Sequence, residues 1–242
     1  MNIYPAIDIM GGRAVRLRQG RREDVSEYGT PLEMAKRWAG AGADWLHIVD
    51  LDGAFDGQRR NTDAIRDIRH ELAEIRIQTG GGIRDMQTVV QLFSQGADRI
   101  VLGTAAVQDP SFLSQAVGRF PGQIAVGIDA RDGIVRLDGW TRSASLTALE
   151  LAAQMESAGV ELVVYTDISR DGEFAGVNVD ATRVMVESTG LRVIASGGVA
   201  SLEDLLNLRN LEHDRLDGAI IGKALYEGRV DLKAAFEVTR AG

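Results

Sequence analysis

Eight short apolar runs rich in Ile and Val punctuate the chain, at residues 3–8, 45–50, 75–79, 99–102, 124–128, 161–166, 192–196 and 217–221. Each has the length of a strand, and several are apolar at both parities, the pattern of a parallel strand covered on both faces. Longer segments of helical period lie between them. Helix-start signals mark five of these: Thr30-Pro31 before LEMAKRWAG, Asn61 before TDAIRDIRHELAE, Asp109-Pro110 before SFLSQAVGRF, Ser145 before LTALELAAQMESAG and Ser201 before LEDLLNLRN. Eight evenly spaced strand-then-helix units in 242 residues predict an α/β fold, a (β/α)8 TIM barrel that takes in the whole chain as one domain.

The pattern also repeats. The stretch AGADWLHIVDLDGAFDG at 41–57 returns as AGVELVVYTDISRDGEFAG at 158–176. Asp50 and Asp167 are 117 residues apart, Gly81 and Gly197 116, Gly103 and Gly222 119, and Asp8 and Asp129 121. Four landmarks in one order at nearly one spacing predict two related half-barrels, about 1–120 and 121–242.

Composition narrows the function. The net charge of −8 argues against a nucleic-acid surface. With no Cys there can be no thiolate zinc site or Cys nucleophile, and His47, His70 and His213 have no ligand spacing, so no metal is expected. No apolar run reaches the roughly 18 to 20 residues of a membrane span. The first residues, MNIYPAIDIMGG, lack a basic n-region and a cleavage site, so a cytoplasmic protein is expected, with no membrane partner, and a monomer. One local exception to the acidity is the cluster Arg13, Arg16, Arg18, Arg21 and Arg22, which either draws an anion to one mouth of the molecule or is a solvated loop.

In a barrel, residues that follow strands gather at the C-terminal face, where barrel enzymes keep their sites. Ser196-Gly197-Gly198 follows the seventh run and Gly222-Lys223 the eighth. Small residues there let backbone N–H groups approach a phosphate. Gly81-Gly82 after the third run and Gly103-Thr104 after the fourth should form a second cradle across the same mouth. A single Gly pair is also what any turn with positive φ requires, whereas two related cradles call for a ligand with a phosphate at each end. Asp8 and Asp129 close the first and fifth runs. Either alone could be a turn residue, but as a pair facing each other across the axis they can divide the roles of acid and base. His47, inside the second run, reads as a hydrogen-bonded core residue.

The segments PAIDIMGGRAVRL, HIVDLDGAF, TGGGIR, VLGTAA, GIDARDGIV, GW, TDISRDG, ASGGV and IIGKALY together resemble the phosphoribosylformimino-5-aminoimidazole carboxamide ribotide (ProFAR) isomerases of histidine biosynthesis, over essentially the whole chain. That resemblance implies an Amadori rearrangement of a small bisphosphate aminoaldose to its ketose, without metal or organic cofactor. It implies Asp8 as base, Asp129 as acid and Thr166 as support for Asp129 or the substrate. Arg16, Asp171 and Gly172 would join the two cradles in binding substrate, and Trp140 would stack on the aminoimidazole. The related cyclases would carry Cys where Ala6 stands and Ser before the second Asp motif, where this chain has Thr166-Asp167. Dual-substrate isomerases that also accept phosphoribosylanthranilate resemble the chain in EYG and GKALY but carry Arg where Asp138 stands, although Arg136 lies nearby. A non-catalytic sugar-phosphate sensor would keep the cradles without needing both carboxylates.

Overall fold

In the computed structural model of the protein, which describes residues 1–18 and 21–240, eight parallel strands close into a barrel. The described strands are β1 (Asn2–Met10), β2 (Arg13–Arg18), β3 (Arg21–Gly29), β4 (Trp45–Asp50), β5 (Arg76–Gly80), β6 (Arg99–Leu102), β7 (Ile124–Arg131), β8 (Ile134–Leu137), β9 (Arg142–Thr147), β10 (Leu162–Asp167), β11 (Arg192–Ser196) and β12 (Leu216–Ile221). The helices are α1 (Pro31–Gly40), α2 (Leu51–Asp56), α3 (Asp63–Glu71), α4 (Met86–Ser94), α5 (Thr104–Gln108), α6 (Pro110–Arg119), α7 (Ala148–Ser157), α8 (Val179–Ser188), α9 (Leu202–Arg209), α10 (Lys223–Tyr226) and α11 (Leu232–Arg240). The barrel runs β1-β4-β5-β6-β7-β10-β11-β12 and closes through the β12–β1 and β7–β10 pairings. All eight expected strands are present; β2–β3 and β8–β9 are additional antiparallel ribbons that extend β1 and β7 above the barrel.

Strand parity sorts the apolar residues into two cores. On β1, Tyr4 and Ala6 point inside the barrel with Trp45, Val101, Ala125, Leu162, Val164, Ile194 and Ile220. The alternate residues Ile3, Ile7 and Ile9 point outward and pack under the helices. Because the side-chain period of a strand is two, the inward rows continue upward as Tyr4-Ala6-Asp8, Ala125-Gly127-Asp129 and Leu162-Val164-Thr166. Parity therefore delivers both carboxylates and the threonine to the inside of the upper rim, and the small residues beneath them leave space.

The lower end is plugged. The guanidinium groups of Arg76 and Arg99 lie 4.6 and 4.4 Å from the Trp45 ring centroid, and Tyr4 packs against the same ring at 5.6 Å. Arg99 donates to Gln78 Oε1 at 3.1 Å, and the Gln78 amide meets His47 Nδ1 at 2.9 Å, so a polar chain climbs from the floor into the middle layer. Removing a buried Trp of this kind costs about 3–5 kcal/mol.

Caps set the helix starts. Thr30, Thr147 and Ser201 form capping boxes with Glu33, Glu150 and Asp204, and Asp109 caps α6. Such caps contribute roughly 1 kcal/mol each. Two expected caps fall elsewhere. Ser145 lies on β9, and Thr147 begins α7 because its hydroxyl, three residues before Glu150, completes the box. Asn61 is buried and its amide goes to two carboxylates, so Thr62 precedes α3 without a side-chain cap. Among the described residues no helix is long and apolar enough to cross a membrane.

Candidate active site

All sixteen site residues named from the sequence line one cavity of about 310 Å³ at the C-terminal ends of the barrel strands. Asp8 enters from β1 and Asp129 from β7. Thr166 stands beside Asp129 in the β7–β10 register and hydrogen-bonds it. Burial pushes the Asp129 carboxyl up, against the hydrogen bonds from Trp140 and Thr166, which favour its charged form. Trp140 Nε1 donates to Asp129 Oδ2 at 2.8 Å. Asp8 is paired with Arg16 of β2.

The third carboxylate, Asp171, is more central than its expected part in substrate binding. Burial pushes it up to about 6, and the nearby Asp8 and Asp129 add to this while Arg16 and Lys223 oppose it. A carboxyl of this kind can give or take a proton near neutral pH. His47 meets Gln78 as expected of a core residue, yet it also lines the cavity, and burial with Arg16 nearby pushes it down to about 3, which keeps it neutral. Among the described residues no group of three His or carboxylate side chains is arranged to hold a metal ion.

The glycines owe their identity to two sources. Gly81 and Gly197 have φ of +90° and +87°, and a Cβ on either would overlap the carbonyl oxygen of Asp50 or Asp167. Gly82 and Gly198, at +68° and +91°, lie in the same way on the carbonyls of Gly53 and Gly176. These four positions satisfy the positive-φ reading and also leave a Cβ-free floor in the cavity. Gly103 and Gly222 have negative φ. Space beyond Gly103 is open, while the place of a Gly222 side chain is filled by the Arg16 guanidinium.

Beneath each glycine pair is a polar brace that sequence reading did not identify. Asp50 accepts from Gly53 N at 3.0 Å, Asn61 N at 3.1 Å and Asn61 Nδ2 at 2.8 Å. Asp167 accepts from Ser169 N at 3.0 Å, Ser169 Oγ at 2.6 Å and Asn178 Nδ2 at 2.7 Å. Arg59 donates to the carbonyls of Gly80 and Gly81, and Arg170 to those of Ala175 and Gly176. The signal that could have found them is that Asn61 and Asn178 are 117 residues apart, the same spacing as Asp50 and Asp167. The recurring Asp that makes the two stretches look alike thus braces a loop.

The β8–β9 segment folds over the first cradle. Asp138, Gly139 and Trp140 all have positive φ, at 54°, 61° and 72°, and Asp138 N donates to Thr104 Oγ1 at 2.9 Å. Asp138 is ion-paired with Arg142 at 2.7 Å, so its charge has a partner that the sequence did not suggest. On the second side, Lys223 donates to Gly172 O at 3.1 Å and lies 4.9 Å from the Phe174 ring centroid. Of the basic cluster, Arg13 pairs with Glu27 and Arg22 with Asp56, which leaves Arg16 as the member directed into the cavity; the side chains of Arg18 and Arg21 lie outside the described residues.

The model of the family described as histidine biosynthesis protein matches residues 2–231. A Heliobacterium modesticaldum protein is 46% identical over 100% of this chain and 99% of its own length, one from Syntrophus aciditrophicus 47% over 100% of both, and one from Ruminiclostridium cellulolyticum 48% over 97% and 98%. Each bears the name 1-(5-phosphoribosyl)-5-((5-phosphoribosylamino)methylideneamino) imidazole-4-carboxamide isomerase. With a whole-chain match, a closed barrel and a cavity between two glycine cradles, this chain belongs to the histidine biosynthesis protein family.

Proposed function

We propose that the protein is the ProFAR isomerase of histidine biosynthesis, an aldose–ketose isomerase that performs an Amadori rearrangement without a cofactor. The observation that carries this reading is the pair Asp8 and Asp129, standing in one cavity between two glycine-floored cradles. A bisphosphate held at both ends would lie with its reacting ribose between the carboxylates, and such orientation replaces much of what a cofactor would otherwise supply.

In the proposed sequence Asp129, whose burial favours its protonated form, donates to the furanose ring oxygen. The C1′–O bond breaks and a protonated imine forms. The proton on C2′ becomes acidic, and Asp8 removes it, leaving an enolamine that tautomerises to the 1-amino-ketose. Thr166 fixes Asp129 and the indole of Trp140 closes over it. Asp171 is placed to exchange the proton left between the two carboxyls. The protein is further proposed to be a cytoplasmic monomer made of two repeated half-barrels.

The test is direct conversion of ProFAR by the purified protein, followed beside conversion of phosphoribosylanthranilate. Turnover of ProFAR supports the reading. Binding of ProFAR without turnover would leave a sugar-phosphate sensor as the better description.

A further inference from the structure

Asp8 is held in a way that its role as base does not explain. Arg16 follows Val15, the β2 residue paired with Asp8, and its Nη1 donates to Asp8 Oδ2. The same guanidinium passes over Gly222, where any Cβ would overlap it. Its Cζ lies 5.4 Å from the Tyr226 ring centroid, its side chain is 12% exposed, and its Nε is buried without a hydrogen-bond partner. One side chain thus spans the carboxylate and the floor of the second cradle with a donor unused. At Gly103, the related position of the first cradle, the space that a Cβ would take is open.

We propose that Arg16 is a phosphate-operated release for Asp8. In the free protein the guanidinium pairs with Asp8; a substrate phosphate entering between Gly197 and Gly222 takes the guanidinium and leaves Asp8 as an unpaired base. The inference rests on the reading of Asp8 given above. A phosphate dianion brings more charge than one carboxylate and accepts bidentate guanidinium bonds. A carboxylate that loses a cationic neighbour binds a proton more tightly, by about 1–3 pH units. Binding energy from the remote phosphate is thereby converted into base strength at the reacting carbon. Gly222 is then required by the path of the guanidinium as much as by the phosphate.

Charged and titratable groups approach Asp8 from every side of the cavity. Arg16 comes from β2, Lys223 and Tyr226 from α10, Asp171 from the segment after β10, Asp129 from β7 and neutral His47 from β4. Of these, Arg16 is the one whose hydrogen bond to Asp8 is seen among the described residues.

The experiment is a 13C NMR titration of the Asp8 carboxyl, assigned with Asp8→Asn, in wild type and in Arg16→Gln. Sulfate is the probe, since it stays dianionic across the range, and chloride at equal ionic strength is the control. In wild type, sulfate should raise the Asp8 midpoint by about one pH unit or more. In Arg16→Gln the midpoint should already be raised, and sulfate should move it by less than half as much. Should Arg16→Gln not fold, Arg16→Lys serves, because an ammonium cannot span both partners and the sulfate response should again shrink. An unmoved wild-type midpoint, a response of the same size without Arg16, or sulfate that leaves the Gly197 and Gly222 amide signals undisturbed would overturn the proposal. If Asp8→Asn turns over ProFAR normally, the assignment of the base is wrong; if Asp8 is essential but indifferent to sulfate, this inference alone fails.

Discussion

The first four strand–helix units and the last four bring equivalent carboxylates to the same rim but surround them differently. Asp8, on β1, is met by a guanidinium from the ribbon that extends its own strand. Asp129, on β7, is met by an uncharged indole N–H from the corresponding ribbon and by the Thr166 hydroxyl. Beneath them the braces are nearly the same: Asp50 with Asn61 and Arg59 on one side, Asp167 with Asn178 and Arg170 on the other. The comparison teaches that the frame recurs while the chemistry diverges in the ribbons. One carboxylate has a cationic partner, while the other is buried with uncharged donors that oppose the rise burial imposes, a difference in surroundings of the kind that the proposed division into base and acid calls for.

The largest effect should come from removing either carboxylate. Asp8→Asn and Asp129→Asn should each lower kcat by about 10²- to 10⁴-fold while substrate binding stays within about tenfold, as measured by steady-state kinetics and equilibrium binding. Near-normal kcat in one variant would mean that only one side of the rim performs chemistry and that the likeness between them is a matter of folding.

Substrate discrimination probes the ribbon over the first cradle. Asp138 stands at the cavity rim with Arg142 as its partner, so an anthranilate carboxylate there meets another carboxylate and a guanidinium already engaged by it, while Arg136, which also lines the cavity, donates to the Ser143 hydroxyl. Catalytic efficiency for phosphoribosylanthranilate should therefore be about 10³-fold below that for ProFAR, given the cost of an unpaired charge. Asp138→Arg should narrow the gap. Efficient anthranilate turnover by the wild type would show that Arg142 or Arg136 already serves as the cation.

How much of this could be read from the chain depends on which force shapes each part. The barrel strands were legible because burial on both faces leaves unbroken apolar runs such as WLHIV and LVVY. The ribbons were not: RREDVSEYG and RSASLT are polar and become strands by pairing with the ends of β1 and β7. Helix α8 is opened by Asn178, which also serves the Asp167 brace, so its cap was hidden among loop residues. Four cradle glycines, Gly81, Gly82, Gly197 and Gly198, stood out because positive φ and backbone crowding permit no other residue. Arg16 was visible in a basic cluster and, through the resemblance, as a substrate-binding residue, but not as the partner of Asp8, since that pairing exists only once β2 folds back on β1. Asp171 could be named but not weighed, because its elevated proton affinity comes from burial and from Asp8 and Asp129, against Arg16 and Lys223, groups that converge from separate strands and loops.

A smaller effect should appear in stability, again on the second side. Asp171 has an ordinary value of 3.8 that the folded state raises to about 6. Between these values the folded state holds a proton that the unfolded chain has released, so the group's contribution is intact below about pH 4 and is lost as pH rises through about 6. Asp171→Asn should therefore stabilise the protein by about 1–2 kcal/mol near pH 8, after allowance for partial exposure, and by almost nothing near pH 4. Urea denaturation at the two pH values measures this. Equal gains at both would mean that Asp171 is strained by packing and that its charge is well tolerated.

The smallest effect, and the finest test of the difference between the two rims, is the indole on Asp129. Trp140→Phe keeps an aromatic face over the cavity and removes only the N–H that reaches Asp129 Oδ2 at 2.8 Å. That hydrogen bond favours the charged form of Asp129, so its loss should raise the proton affinity of the acid further. Because the reaction needs this group protonated, the limb on which kcat falls at high pH should move upward, while kcat at neutral pH drops by about three- to tenfold from lost positioning. A Trp140→Ala variant, which loses the ring as well, should also raise KM. If the high-pH limb of Trp140→Phe stays where the wild type has it, the indole acts by covering the substrate and not through Asp129, and the two carboxylates would then differ by Arg16 and burial alone.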